Sequence, residues 1–420
     1  MLLLNKDLSA LPSNFLLPEK RIGFAGNLLE ELTIKHKEFT LYKAGLPSYP
    51  RNFTRDVIIA SLIMGSPKML EDQLIFSAHL QGTKKDPRTG EQPGAIFHEY
   101  DIKLDGGVEL SQRPGRTTFY AASDTTALFL IGHEWYQRMT GDKKLYQKQK
   151  ANILRATEYI LSHLYGGSVF IEDPRFCEAE AYALKVTYWK DSQLWGRPGG
   201  EPKYPVIYPL AHIQNIAGIR SASYLLNSKE LGKVADQMTR ALNLMYDEKT
   251  KNFPIAIDSQ GAINGINSDG LHSLFYLEPG SLTGNKLEKL VKSSMPLETS
   301  MGYRTLIPEI AAEAKDKYHA ETVWTHEQAQ IHIGAIKHLN WAIQNGKEEL
   351  SASLSHVADV SGRIYSYFKN IQGSYPELFI INSEGNMLPG GCDPQLWAYA
   401  AKVYFDNFAN SQTTPSKLTF

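Results

Sequence analysis

SYPELFIINSEGNMLPGGCDPQLWAYA, residues 374–400, is the stretch on which the fold assignment turns. It sets one carboxylate, Glu377, between Pro376 and the apolar pair Leu378-Phe379. A Gly/Pro/Asn-rich loop follows, and Asp393-Pro394 then open a helix expected over 395–408. A carboxylate lining a cleft is desolvated by such apolar neighbours and tuned for acid–base work. A solvated loop glutamate is the bland alternative, and it is the better one for a glutamate standing alone. The company of Glu377 overturns it. Trp189-Lys190-Asp191 puts a second acid in an aromatic setting, and further Trp/His/Asp loops recur along the chain.

Outward from this stretch, helical periodicity dominates. Amphipathic runs cover 56–81, 124–140, 153–164, 210–226, 234–246, 325–345 and 351–367, with weaker ones near 20–36, 177–187, 267–277 and 283–293. Strand-like pieces are short, at 39–42, 96–104 and 253–257. Brief turns such as Thr140-Gly141-Asp142 alternate with long loops at 82–120, 188–209, 247–264, 296–322 and 372–392. Loops of that length in a compact domain usually serve function. Short on one side and long on the other, repeated about six times, is the pattern of a ring of helical hairpins with its long loops around one mouth. The expected fold is therefore all-α, an (α/α)6 toroid with short β-hairpins in the long loops. No low-complexity linker divides the chain, so residues 1–420 read as a single catalytic domain, with a leading segment to about residue 40 and a flexible tail at 410–420.

Composition narrows the function classes. Lys+Arg number 44 against 45 Asp+Glu, which leaves no electrostatic footprint for nucleic acid or an anionic membrane. The two cysteines, Cys177 and Cys392, form no disulfide framework, and a reducing compartment is the default. The opening MLLLNKDLSALPSNFLLPEK is too short in apolar residues for a signal-peptide core. A cytoplasmic protein is expected, with export by a signal-less secretion system left open. Aromatics reach 11%, with 22 Tyr and 6 Trp, and a sugar's C–H face stacks well on such rings, as do ordinary large cores.

The chemistry-bearing clusters fall in or beside the long loops. Arg55-Asp56 precede a helix, where Asp56 is either an N-cap or half of an Arg–Asp pair gripping sugar hydroxyls. His98-Glu99 and the run from Tyr120 to Asp124 are weak signals singly, an exposed pair and another N-cap. His319 and the run Trp324-Thr325-His326-Glu327 are stronger, because Trp, His and Glu crowd a helix start. No H-x-x-x-H or C-x-x-C spacing supports a metal, and neither a phosphate loop nor a G-x-S-x-G elbow is present. What remains is the pair Asp191 and Glu377. Two acids facing each other across a sugar are the minimum equipment for glycosidic cleavage, and about 6.5–9.5 Å between them leaves room for water and inverts the anomeric centre.

The motifs resemble the C-terminal glucosidase domain of glycogen-debranching enzymes (amylo-α-1,6-glucosidases) and, more distantly, the glucoamylase-like (α/α)6 hydrolases. The resemblance runs in order from about residue 40 to 405. AGLP followed by NFTRDVIIA is similar to the family's AG-P-W…F-GRD-IAL opening, PGAIFHEY to G-IPHE, and FYAASDTTALFLIGHEWYQRMTGD to YY-S-VD-TPLF…TGD. TYWKDSQ resembles QGWKDS, MYDEKTKNFPIAIDSQG resembles W-DE…F-ALD-DG, and NSDGLHSLFYL resembles SN-GHLLW. GYRTLIPE, YHAETVWTHEQAQI and YPELFI…GGCDPQLWAYAA resemble G-RTLS, YHNGTVWPHDNALI and LPELF…ACSPQAWAAGA. The resemblance implies Asp191 as general acid and Glu377 as general base of an inverting, cofactor-free hydrolase. It places Arg55, Asp56, Trp324, His326 and Gln395 at the sugar, with Glu99, Trp189, Lys190 and Trp397 as neighbours; Tyr120, Asp124, His319 and Glu327 complete the expected binding set. Departures from the pattern are Glu327 for Asp, Thr325 for Pro, Ala211-His212 for a Glu-Val-Gln run and Thr187-Tyr188 for Gln-Gly. These bear on linkage preference and leave the acid pair intact.

The leading expectation is an exo-acting α-glucosidase on glycogen, starch or their oligosaccharides, through α-1,4 or α-1,6 linkages. A hydrolase of a small glucoside such as trehalose or a glucosyl- or mannosyl-glycerate is the nearest alternative. A sugar isomerase or epimerase would instead rely on His98, His319 and His326, and an inactive glucan-binding protein would not need both acids.

Overall fold

The structure is a computed structural model that describes residues 26–101, 117–192, 200–314, 317–370, 373–382 and 384–413. Its helices are α1 (Gly26–Leu32), α2 (Thr54–Met64), α3 (Pro67–His79), α4 (Thr125–Thr140), α5 (Lys144–Ser162), α6 (Pro209–Leu226) and α7 (Lys229–Met245). There follow α8 (Asp269–His272), α9 (Lys286–Ser293), α10 (Pro308–Ala311), α11 (Thr325–Gln344), α12 (Glu348–Gly362), α13 (Tyr365–Asn370) and α14 (Leu396–Thr413). Helices α2, α4, α6, α8 with the 3-10 turn Ser273–Phe275, α11 and α14 pack each against the next, and α14 returns to α2. The path of contacts closes on itself. Outside it, α3, α5, α7, α9 and α12 each lie against the inner helix that precedes them.

Sequence explains the division. Every position of α2 from Thr54 to Ile63 is buried, as an inner helix surrounded on all sides requires. In α7 only Ala235, Met238, Leu242 and Asn243 are buried, a single stripe at i, i+3 and i+7 with a charged opposite face. Turns joining inner to outer helices are short except at 276–285, and the connections returning to the next inner helix are long. The N-termini of the inner helices therefore receive the long loops, as the alternation of loop lengths predicts.

Several expectations need correction. The run 56–81 is two helices, because Gly65 turns left-handed at φ 69°, Ser66 accepts from the Met69 N–H, and Pro67 has no N–H to continue the ladder. Asp56 lies inside the first turn of α2 and is no N-cap; Asp124 holds the N-cap position of α4 with its side chain bonded elsewhere. Of the candidate at 20–36, residues 20–25 lie outside the described residues and the rest is α1 followed by strand Thr33–His36, while in 177–187 Cys177 ends a 3-10 turn (Pro174–Cys177) and the remainder forms no helix. Strand 96–104 is confined to Glu99–Tyr100, with 102–104 outside the described residues, and 253–257 shifts to Ala256–Asp258. The fold is not all-α: six sheets of two or three strands lie among the described residues.

Two of those sheets set the mouth. Strand Thr322–Trp324 pairs antiparallel with Leu378–Ile381, Trp324 opposite Leu378, and Leu378–Ile381 pairs in turn with Met387–Gly390. Asn52–Phe53, Glu99–Tyr100 and Thr118–Phe119 form the second. The ring is sealed by backbone: Leu46 donates to the Pro394 carbonyl and Leu396 to that of Ala44, each near 2.9 Å. Gly45 is needed there, since a Cβ would stand 2.7 Å from the Cβ of Cys392.

Gly334 tests the inner packing. A Cβ at this position would meet the Leu274 carbonyl carbon at 2.5 Å. Alanine in a free helix would gain about 1 kcal/mol over glycine, but overpacking costs roughly 1–3 kcal/mol. Gly334→Ala should therefore lower stability in denaturant titration, and a gain would refute so close an approach of α11 to the 273–275 turn.

Candidate active site

Arg55 and Asp56 open α2, His326 and Glu327 open α11, Asp269 opens α8, and Gln395-Leu396-Trp397 open α14. All enter at helix N-termini, so the hairpin architecture delivers them to the same end of the ring. Arg55 is the organising charge. Its Nε and Nη2 donate to the two oxygens of Asp124 at 2.7 and 3.0 Å, and its Nη1 donates to Asp191 Oδ2 at 3.3 Å. Nη2 also reaches the Thr187 carbonyl. Asp124 thus spends both oxygens on a buried fork.

Glu377 arrives from the other side. Its position follows from the sheet: Thr325 donates through both N–H and hydroxyl to the Glu377 carbonyl, one residue beyond the Trp324–Leu378 pair. The side chain accepts from the Cys392 N–H at 3.0 Å and faces Gln395 Nε2, which stands 3.5 Å from Glu377 Oε1 and 3.4 Å from Asp56 Oδ1. One amide therefore spans two carboxyls. Gly391 makes this fit possible: its φ is 73°, and a Cβ would stand 2.3 Å from Glu377 Oε2. The Tyr318 hydroxyl bonds Glu377 and Tyr49.

Charge crowding sets the protonation. Burial pushes Asp191 up to about 6, against the pull of Arg55 and with a further push from Asp124. Burial pushes Asp56 up to about 8, opposed by Arg55 and reinforced by Glu377. Glu377 is raised too, first by burial, while the Cys392 N–H, Tyr318 and Gln395 favour its anion; Asp191 lies near enough to oppose it. Burial holds His319 and His326 well below the usual histidine range, so both are neutral.

Aromatic rings make the wall. His326 stacks on Trp397 at 3.8 Å, His319 lies parallel to Trp324 at 4.7 Å, and Trp189 stands edge-on to Trp324 at 5.7 Å. Trp324 and Trp189 are buried, whereas the Asp191 side chain is 29% exposed and Tyr49 and Tyr318 are half-buried. The carboxyls Asp56 and Glu377 sit deep, with Asp191 and the tyrosines toward the opening.

Of the residues expected at the site, Arg55, Asp56, Asp191, Trp324, His326, Glu377, Gln395 and Trp397 are brought together. Trp189 and His319 pack beside them, His319 against Ser192 at 2.7 Å. Others are placed behind or apart. Asp124 is sealed by Arg55, Glu99 pairs with Arg51, and the Tyr120 hydroxyl donates to the Leu80 carbonyl at the end of α3. Lys190 lies 1% exposed against Asp269, and Glu327 is fully buried, accepting from Ser268. Sequence reasoning missed Tyr49, Tyr318, Asp269 and His272. Tyr318 adjoins His319, and Asp269 and His272 lie in NSDGLHSLFYL, but nothing in the linear order says which carboxylate they reach.

Asp269, His272 and Glu327 have the mutual spacing of a cation-binding set. The Lys190 ammonium, 2.9 Å from Asp269, already supplies a positive charge there. Among the described residues no helix is long and apolar enough to cross a membrane.

No protein-family model matches the chain, and no curated protein matches it. Among solved structures the chain is similar to the GH63 mannosylglycerate hydrolase of Thermus thermophilus in complex with Tris and D-glycerate, at TM-score 0.65 and 10% identity over 91% of this chain and 98% of that one. The same hydrolase in complex with glucose gives TM-score 0.61 and 11% identity over the same shares. The likeness is one of fold. At this identity it says nothing about individual side chains, and the site stands on its own geometry.

Arg55→Met should strand Asp124 as an unpaired buried charge and lower stability by about 3–5 kcal/mol in denaturant titration. Wild-type stability would mean that the Arg55 pairing is dispensable. Asp56 gives a pH test. Between its usual value of 3.8 and about 8 the unfolded chain releases a proton that the folded chain retains. Below that window Asp56 does not oppose folding, and across it folding is progressively penalised. Asp56→Asn should flatten this decline of stability with rising pH, and an unchanged slope would place the titration elsewhere.

Proposed function

We propose that the protein is an inverting, exo-acting α-glycoside hydrolase, with Asp191 as general acid and Glu377 as general base. The supporting observation is that two acids far apart in sequence come near enough for the charge of Asp191 to raise Glu377, while burial keeps the Asp191 proton on up to about pH 6. Asp191 would give its proton to the glycosidic oxygen as the C–O bond breaks. Glu377 would take a proton from the water that attacks the anomeric carbon from the opposite face. The products are a free sugar of inverted configuration and an alcohol, and solvent resets both carboxyls. Asp56 and Gln395 would hold the hydroxyls of the terminal sugar, Arg55 would fix the acid, and Trp397 would offer a ring face. Deep placement of Asp56 and Glu377 favours a pocket for one terminal residue, hence exo action.

The fold that goes with this reading is an (α/α)6 toroid spanning the chain as one catalytic domain. The sequence resemblance favours terminal glucose on glycogen, starch or maltooligosaccharides. A small α-glycoside, such as a glucosyl- or mannosyl-glycerate, is the second reading, and the GH63 likeness favours it. An isomerase built on histidine chemistry has less support, because His319 and His326 are dry and neutral.

Asp191→Asn and Glu377→Gln should each lower sugar release by about 10²–10⁴. A panel of glycogen, maltose, glucosylglycerate and mannosylglycerate separates polymer from small substrates, and NMR of the first-formed anomer should show β product from α substrate. The wild-type kcat/KM should fall as pH rises through about 6, where Asp191 loses its proton. Retention of configuration, or near-normal turnover by either variant, would sink the assignment.

A further inference from the structure

The residues just before the acid are held by a buried ionic anchor on a different element. The Trp189 indole N–H donates to Asp269 Oδ1 at 3.0 Å, and Lys190 Nζ lies 2.9 Å from the same oxygen. Lys190 also donates to Ser268 Oγ at 2.9 Å and to the Thr305 carbonyl at 3.4 Å. The Ser268 hydroxyl donates in turn to Glu327 Oε1 at 2.6 Å, which ties the anchor to the first turn of α11. Lys190 and Asp269 are 1% and 6% exposed, so neither charge has water to replace its partner. An ammonium this deep cannot leave its carboxylate without stranding both charges in a dry site.

The backbone of Trp189 and Lys190 is therefore pinned, and Asp191 is the next residue. On its cavity side Asp191 meets Arg55 Nη1 at 3.3 Å, a contact longer than the usual charge-assisted one. A proton donor works only from a position within hydrogen-bond reach of the leaving oxygen, and errors of an ångström are expensive in rate.

We propose that Asp269 is a positioning residue for the general acid: its Oδ1 clamps Trp189 and Lys190 together and so sets where the Asp191 carboxyl stands. The proposal rests on the hydrolase reading above. Asp269 touches no substrate and moves no proton, and its effect is confined to the step that needs acid assistance.

Leaving-group dependence isolates that step. Fluoride departs from a glycosyl fluoride with little help from an acid, whereas a sugar or glycerate alkoxide needs the proton. Wild type, Asp191→Asn and Asp269→Asn are compared on the α-glycoside identified by the panel and on the α-glycosyl fluoride of the same sugar. Asp191→Asn should lose at least about 10²-fold in kcat on the glycoside and far less on the fluoride. Asp269→Asn should show the same split at about 10-fold, with KM nearly constant, as expected for an interaction felt in the transition state. If Asp191→Asn shows no split, the hydrolase assignment of the acid falls. If Asp191→Asn shows it but Asp269→Asn loses both substrates alike, or neither, the anchor is structural only and the proposal is overturned. Should Asp269→Asn fail to fold, Asp269→Glu, which keeps the charge but displaces the oxygen, and Lys190→Met are read by the same criterion.

Discussion

A guanidinium buried among carboxylates holds this site together. Arg55 is 3% exposed, with almost no access to bulk water, so it must be paired in place. Asp124, at the start of α4, takes two of its donors, and Asp191, on the loop leading into α6, takes a third. Three successive inner segments of the ring therefore converge on one charge at the end where their N-termini meet. Bidentate geometry makes the arrangement specific as well as strong, because a planar fork tolerates little rotation.

The same charge accounts for the electrostatics. One buried arginine faces Asp56, Asp124 and Asp191, with Glu377 close to Asp56 and Asp191, and it cannot neutralise all of these acids. Asp124, with both oxygens on the fork, takes the largest share. The others compete, and burial together with mutual repulsion raises Asp56, Asp191 and Glu377 above the ordinary carboxylate range. Their differences come from local partners. Glu377 receives a backbone N–H, an amide and a tyrosine hydroxyl that favour its anion, while Asp56 has only the Gln395 amide opposing its burial alongside Arg55. A pair in which one acid keeps its proton and another is helped to lose it is what two-carboxylate hydrolysis requires.

Fold and chemistry are separable here. The ring is shared with the GH63 hydrolase at 10% identity, which is possible because inner helices need only small and apolar side chains at roughly the right volumes. The loops entering the inner helices carry the candidate site. Behind them lies a second layer of buried charge, Lys190, Asp269 and Glu327, joined through Ser268. Expectation had set Lys190 and Glu327 beside the sugar, and the structure sets them behind Trp189.

Local order alone determined the helical character, the alternation of short turns with long loops, and the two acid-bearing stretches around Asp191 and Glu377. These depend on residue periodicity and on turn chemistry, which act over a few positions. The same rules went astray where the local signal was ambiguous, as in the 56–81 run that Gly65 and Pro67 divide. Direction was beyond them. Whether Asp124 caps its helix or seals Arg55, whether Lys190 meets sugar or Asp269, and whether Tyr318 reaches Glu377 depend on partners many tens of positions away. Ring closure made those choices, because burying a charge forces it toward whichever counter-charge the packing brings within reach.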